Sequence, residues 1–300
     1  MRRWTICVTA LIIAACSPSD QPAGGASWSG EPRPALWKLA DADTTVFLFG
    51  TVHLLPPDMT WRTPALLAAE AEARAVYLEA DTELPPARLA AIIRQTALLA
   101  PGQRLWDLLS PEQGSALREA AARFGLPAQL FDTMRPWYAS VIVSDAAIRN
   151  TGMSLEAGVE TQLRQEAQRR GTDLRFLETV EDQLSAYTGL SDSIQIGLLE
   201  ATLRDLEDAG VALADLVKAW RQGDDERLTG LVIDEQLTQL PEVYQMVMVR
   251  RNAAWAPQID ALLREEAGTF LVAVGAGHLL GPDSVLRMLE GLGYRPERVP

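Results

Sequence analysis

Residues 269–278 read Thr-Phe-Leu-Val-Ala-Val-Gly-Ala-Gly-His, an apolar strand that runs into a glycine turn and ends on a histidine. Residues 44–53, Thr-Thr-Val-Phe-Leu-Phe-Gly-Thr-Val-His, repeat the plan. A short unbroken apolar run bounded by glycine is how a strand buried on both faces reads, and such strands belong to a sheet covered by helices. In open α/β sheets ligands gather outside the carboxyl ends of the strands, where glycine lets the backbone turn tightly and approach a ligand. The chain has two histidines in all, His53 and His278, and both stand in a Gly-x-x-His turn at a strand exit. Two packing accidents explain that badly. The pattern predicts one shared site built from both ends of the chain.

Working outward, residues 35–40 (ALWKLA) and 44–50 form a β-hairpin through Asp41-Ala42-Asp43. A Pro56-Pro57-Asp58 turn leads into a helix over 64–74, and residues 75–79 (AVYLE) read as a buried strand ending at Glu79. From about 86 to 265 the pattern is helical, with Ser110-Pro111-Glu112-Gln113 as a capping-box start. Gly125 and Gly171 are placed as helix C-caps. A short strand over 173–177 interrupts the helices and ends at Glu178; a helix over 283–292 and a short terminal run close the chain. There is no internal repeat and no linker in the middle. The expected fold is α/β: a single domain over 35–300, with a mixed β-sheet flanked by a large helical middle region.

Ahead of that domain, Met1-Arg2-Arg3 is a positive n-region and residues 4–13 a short apolar one, followed by Ala14-Ala15-Cys16. The stretch is too short to span a bilayer, which takes about 20 apolar residues. Residues 1–15 thus read as a signal peptide with Cys16 lipidated after cleavage, the plainer alternative being an ordinary cleaved signal beside an incidental cysteine. Ser17 after the cysteine fits outer-membrane sorting, so the expected location is the bacterial cell envelope, lipid-anchored and facing the periplasm. Residues 16–34, rich in Pro, Gly and Ser, form a tether. With Cys7 lost and Cys16 blocked, the mature chain has no thiol or disulfide chemistry. The formal net charge of −13 becomes −15 once Arg2 and Arg3 leave, a balance that repels phosphate backbones and argues against nucleic-acid partners.

Neutral imidazoles at neighbouring strand ends suit a transition metal such as Zn, Mn, Fe or Co. Hydrolytic sites usually use three protein ligands, so His53 and His278 need a carboxylate. Glu79 leaves a buried strand beside them; it is either that ligand, the base for a metal-activated water, or a solvated strand-exit acid, with Asp81 as its partner or a turn residue. Glu156 and Glu160 lie four apart in a segment read as helical and project from one face. Glu160 is either functional or paired with Arg164. Glu178, closing the short central strand, is a further candidate for a functional role, and Arg251, with Arg250 in an apolar helix, either pairs with a buried acid or binds an anionic transition state.

The two Gly-x-x-His turns, YLEAD (77–81), RPW (135–137), LETVEDQL (177–184), WRQGD (220–224) and RNAAW (251–255) together resemble the TraB/GumN family, related to the TIKI metalloproteases of animals that clip Wnt proteins. The resemblance runs from about Leu36 to Val299. It implies a fold akin to the erythromycin-esterase and haem-binding ChaN-like proteins, a site of His53, His278 and Glu79 joined by Glu160, and a divalent cation such as cobalt or manganese. Two functions follow: a metal-dependent hydrolase of a peptide or ester, or a non-catalytic haem- or metal-binding envelope lipoprotein. No His-Glu-x-x-His signature is present.

Overall fold

The structure is a computed structural model that describes Trp28 and residues 30–149, 151–237 and 240–300. The signal peptide, Cys16 and most of the expected tether lie outside the described residues. Six strands form one mixed sheet: β1 (Leu36–Ala40), β2 (Thr44–Thr51), β3 (Ala73–Leu78), β4 (Asp173–Phe176), β5 (Gly268–Gly275) and β6 (Glu297–Val299), ordered β4-β3-β5-β2-β1-β6. β4, β3, β5 and β2 run parallel, and β1 is antiparallel to both β2 and β6. The expected hairpin is present, its turn pinned by Asp41 Oδ1 on the amides of Asp43 and Thr44.

Between the strands run α1 (Pro64–Glu72), α2 (Pro86–Thr96), α3 (Leu105–Leu108), α4 (Pro111–Arg123), α5 (Pro136–Arg149), α6 (Val159–Arg170), α7 (Val180–Thr188), α8 (Asp192–Asp205), α9 (Ala209–Gln222), α10 (Asp225–Thr229), α11 (Pro241–Tyr244), α12 (Arg250–Glu265) and α13 (Val285–Gly291). The capping box at Ser110 forms as read, and Gly171 closes α6 in the left-handed conformation. Two π-helical stretches, Gly230–Leu237 and Gln245–Val249, lie within what reads as plain apolar helix and lead into α12. Such wide turns recur near functional sites.

Strand alternation divides the core between the two faces of the sheet. Phe270, Val272 and Val274 of β5 pack on Trp255, Ile259 and Leu263 of α12 and on Val285 and Leu289 of α13. Leu271 and Ala273 face the larger helical layer, where Phe49, Trp61 and Trp220 cluster beneath the end of β2. That arrangement covers both faces and turns the carboxyl ends of four adjacent parallel strands toward one edge.

The WRQGD segment (220–224) supports this edge. Trp220 donates its indole N–H to the Gly50 carbonyl at 2.8 Å, fixing the first Gly-x-x-His turn from below. Arg221 donates to Thr60 O (3.1 Å) and Gly30 O (2.7 Å), and its own carbonyl accepts from Arg33 N at 2.7 Å. The last residues expected as free tether are thus bound to the domain.

Candidate active site

Each of the four parallel strands delivers one polar side chain just past its carboxyl end. His53 follows β2, Glu79 follows β3, Glu178 follows β4 and His278 follows β5. The two Gly-x-x-His turns pack against each other: a Cβ on Gly50 would lie 3.2 Å from Ala276 Cα. Gly275 opens the centre. A Cβ there would sit 3.2 Å from Glu79 Oε1, 3.6 Å from His278 Cδ2 and 3.9 Å from His53 Nε2, so the lack of a side chain leaves these three groups around one small space. The structure therefore brings His53, His278 and Glu79 together.

Both imidazoles are anchored through Nδ1. His53 Nδ1 lies 2.8 Å from Glu160 Oε1, which also accepts from the Thr51 hydroxyl. His278 Nδ1 lies 2.6 Å from Asn252 Oδ1, and Asn252 Nδ2 donates to the Asp283 carbonyl at 2.8 Å. That second bond turns the amide oxygen toward the ring, so His278 carries its proton on Nδ1 and presents a lone pair at Nε2. Anchoring of one ring nitrogen by an oxygen acceptor is the outer-sphere pattern found around metal-bound histidines. His278 is 4% exposed and its ring lies against Trp255, with centroids 4.5 Å apart.

Arg251 is the hub of the buried charges. Nη2 reaches Glu79 Oε2 at 2.6 Å and Glu178 Oε1 at 2.7 Å, and Nε reaches Glu178 at 3.0 Å. Nη1 donates to the Val247 carbonyl (3.3 Å) and to His278 Nε2 (3.1 Å). Every guanidinium nitrogen is engaged inside the protein, which gives Arg251 the geometry of a partner for buried acids rather than of an anion-binding group. Glu79 accepts in addition from Gly275 N (2.7 Å) and Gln183 Nε2 (3.2 Å).

Burial alone would push the Glu79 carboxyl up; Arg251, the two histidines and the Gly275 amide outweigh it and hold it near 2. Burial and the adjacent guanidinium pull His278 down to about 3, so it is neutral at physiological pH. Burial also pulls on His53, but the charge and hydrogen bond of Glu160 win and raise it to about 9. Glu178 is raised by burial against the pull of Arg251.

These shifts fix a pH profile for chelator-treated protein. The His53–Glu160 pair contributes stability that is complete below pH 6.5 and is lost as pH rises through about 9. His278 stays neutral while the unfolded chain protonates, so stability falls as pH drops from 6.5 through 3. Glu79 adds a loss as pH falls from 4.5 through 2. Maximum stability is expected near pH 6.5, with an alkaline limb of about 1.4 kcal/mol per pH unit at most. Urea midpoints of wild-type and His53→Gln protein across pH 6.5 to 9 check this: the limb should flatten in the variant, and an unchanged limb would contradict the pairing.

Other residues singled out from the sequence fall elsewhere. α6 begins at Val159, so Glu156 precedes the helix and does not share a face with Glu160; it is exposed, its amide bonded to Ser154 Oγ. The chain turns at Gly158, where a Cβ would overlap the His53 carbonyl oxygen, and that contact starts the helix late. Glu160 does not pair with Arg164, which reaches back to Asp81 Oδ1 at 2.9 Å and leaves Asp81 a half-exposed loop residue outside the site. Arg250 is exposed. Asn252 and Gln183 hold His278 and Glu79 without any spacing or residue type that marks them for it; they stand within the segments RNAAW and LETVEDQL.

The donor types and anchoring fit a divalent cation: His53 Nε2, the Cδ2 edge of the His278 ring and Glu79 Oε1 border the space at Gly275, with His278 Nε2 3.9 Å from that carboxylate oxygen. Their spacing is open, however: among the described residues no three His, Cys, Asp or Glu side chains converge to metal-binding distance. Arg251 Nη1 occupies the lone pair of His278, so binding requires that contact to yield.

Comparison with known proteins agrees with the motifs. The uncharacterized protein YbaP of Escherichia coli (strain K12) is 26% identical over 246 residues, covering 81% of this chain and 87% of its own. Metalloprotease TIKI2 of Xenopus tropicalis is 26% identical over 310 residues, covering 85% of this chain but 58% of its own. Metalloprotease TIKI1 of Homo sapiens is 25% identical, covering 93% and 67%. No solved structure gives a significant match. The profile of the TraB/PrgY/gumN family matches residues 35–298, a span that holds all four strand-end residues, and the chain belongs to that family.

Proposed function

We propose that this chain is a metal-dependent hydrolase of the cell envelope that cleaves an amide bond in a peptide. The observation that carries the reading is the pair of imidazoles, each anchored through Nδ1, which with Glu79 Oε1 surround the bare Cα of Gly275. The printed names of the TIKI relatives, metalloproteases at about a quarter identity, support the reaction class. His53, His278 and Glu79 would hold the cation, and Mn, Co, Zn or Fe all suit such donors. The cation would supply Lewis-acid polarisation of a carbonyl and a more acidic water.

The chain's own residues divide the remaining work. Glu160 Oε1 keeps His53 Nδ1 as the donor, which reserves Nε2 for the site. Glu160 Oε2 is buried with no hydrogen-bond partner among the described residues, an acceptor on the Nδ1 side of His53, and the role assigned to it is to take a proton relayed from the site. Glu79 has both oxygens held and acts as ligand. Arg251 holds the Glu79 carboxylate ionised and offsets part of the cost of burying Glu178. The haem alternative fits less well, because His278 is covered by Trp255 and faces Arg251 instead of an open slot.

The test is cleavage of a peptide library by purified protein with Mn²⁺ or Co²⁺ added. Cleavage abolished by chelator supports the reading; cleavage that survives it, or none in any condition, overturns it. The lipobox-like start carries the envelope part of the proposal. Cys16→Ser should abolish acyl labelling and release the protein from the membrane fraction; label retained in the variant would sink the anchor.

A further inference from the structure

Two contacts hold the Glu79 carboxylate before Gln183 is counted, Gly275 N on Oε1 at 2.7 Å and Arg251 Nη2 on Oε2 at 2.6 Å. The guanidinium nitrogen on Oε2 also serves Glu178 at 2.7 Å, so that anchor is shared between two acids. A second donor reaches the same oxygen from a different helix: Gln183 Nε2, at 3.2 Å. Gln183 is 5% exposed, and its neutral amide donates to a buried carboxylate without adding charge.

The helix that carries Gln183 is itself locked. Glu178, bound to Arg251, immediately precedes the N-cap of α7, and the reciprocal capping box of Thr179 and Asp182 fixes the first turn. One turn after Gln183, Tyr187 stacks on Trp137 of α5 with centroids 5.4 Å apart and an interplanar angle of 21°. Gln183 is thus held from below by an aromatic stack and from its N-terminal side by an ion pair. With Oε2 pinned by Arg251 and Gln183, Oε1 is left to the Gly275 amide and to the space between the imidazoles.

We infer that Gln183 is a positioning residue, whose carboxamide fixes the plane of Glu79 so that Oε1 faces His53 and His278. The inference builds on the proposed site, and its test separates the two. Gln183→Met keeps the length and burial of the side chain and removes the donor. Gln195→Met, at an equally buried glutamine of α8 outside the site, is the control for placing methionine in a core.

The first readout is the Gly275 backbone amide resonance in metal-free protein, which reports the bond to Glu79 Oε1. It should move upfield in Gln183→Met and stay in place in Gln195→Met. The second is Co²⁺ affinity, expected to fall about 10- to 100-fold as for other outer-sphere losses. An unmoved Gly275 amide overturns the inference whatever the metal does. A shifted amide in a protein whose wild type takes no Co²⁺ supports Gln183 and sinks the metal reading instead. If Gln183→Met does not fold, the Gln183 side-chain amide resonances in wild type and Glu79→Gln decide: they shift together with Glu79 if the contact exists, and unchanged resonances overturn it.

Discussion

Arg251→Met is expected to destabilise the protein by about 3–5 kcal/mol, a large share of the stability of a single domain. The side chains of Arg251, Glu79 and Glu178 are 6%, 6% and 8% exposed, and the guanidinium is the positive charge that touches both acids. Methionine fills much of the volume but leaves two carboxylates in a buried site with their main partner gone. Breaking a buried pair by removing one member is costly for that reason. Guanidinium chloride unfolding at pH 7 measures the loss. Adding Glu178→Gln to Arg251→Met should recover part of it, because one of the stranded charges disappears. A loss below about 1 kcal/mol would mean that water reaches these acids and that the hub is a surface pair.

Glu79→Gln and Glu160→Gln are expected to fail in different ways. Glu79 is held on both oxygens and lies at the centre of the space lined by the imidazoles, so its loss should weaken metal binding. Glu160 touches His53 through one oxygen and leaves the other open. Glutamine there keeps an acceptor for His53 Nδ1, so metal should remain while turnover falls about 10²–10⁴-fold, the usual contribution of a general base. Metal titration and peptide turnover measured on the same preparations separate the two. Wild-type metal content in Glu79→Gln together with lost metal in Glu160→Gln would reverse the assignment.

Much of this edge was legible in the sequence because the strands are marked twice, by apolar runs and by the residues that terminate them. Glycine and histidine at 50–53 and 275–278 announce both the turn and the chemistry, and Glu79 stands directly after an apolar strand; Glu178 follows a weaker one, Asp-Leu-Arg-Phe, after Leu177. What was misread depends on contacts distant in sequence. The helix read as 64–74 stops at Glu72 because Ala73 leaves helical geometry to pair with Thr269 of β5, and strand pairing overrides local propensity there. The helix read from 283 starts at Val285, with Ser284 as its cap; Asp283 instead accepts from Tyr244 OH at 2.9 Å and lends its carbonyl to Asn252. Arg164 and Glu160 have helical spacing for a pair, yet each finds a partner on a loop reached only through the fold, Asp81 in one case and His53 in the other. Asn252 and Gln183 carry no local signal at all, since their roles are defined by partners 26 and 104 residues away.

The central claim is that His53 and His278 serve one cation, and metal analysis of purified protein after dialysis against Mn²⁺ or Co²⁺ tests it most directly. Wild-type protein should retain about one ion per chain, as a single mononuclear site requires. His53→Ala and His278→Ala should each lose it while keeping a cooperative unfolding transition. Equal metal content in wild type and in either folded variant would contradict the shared site.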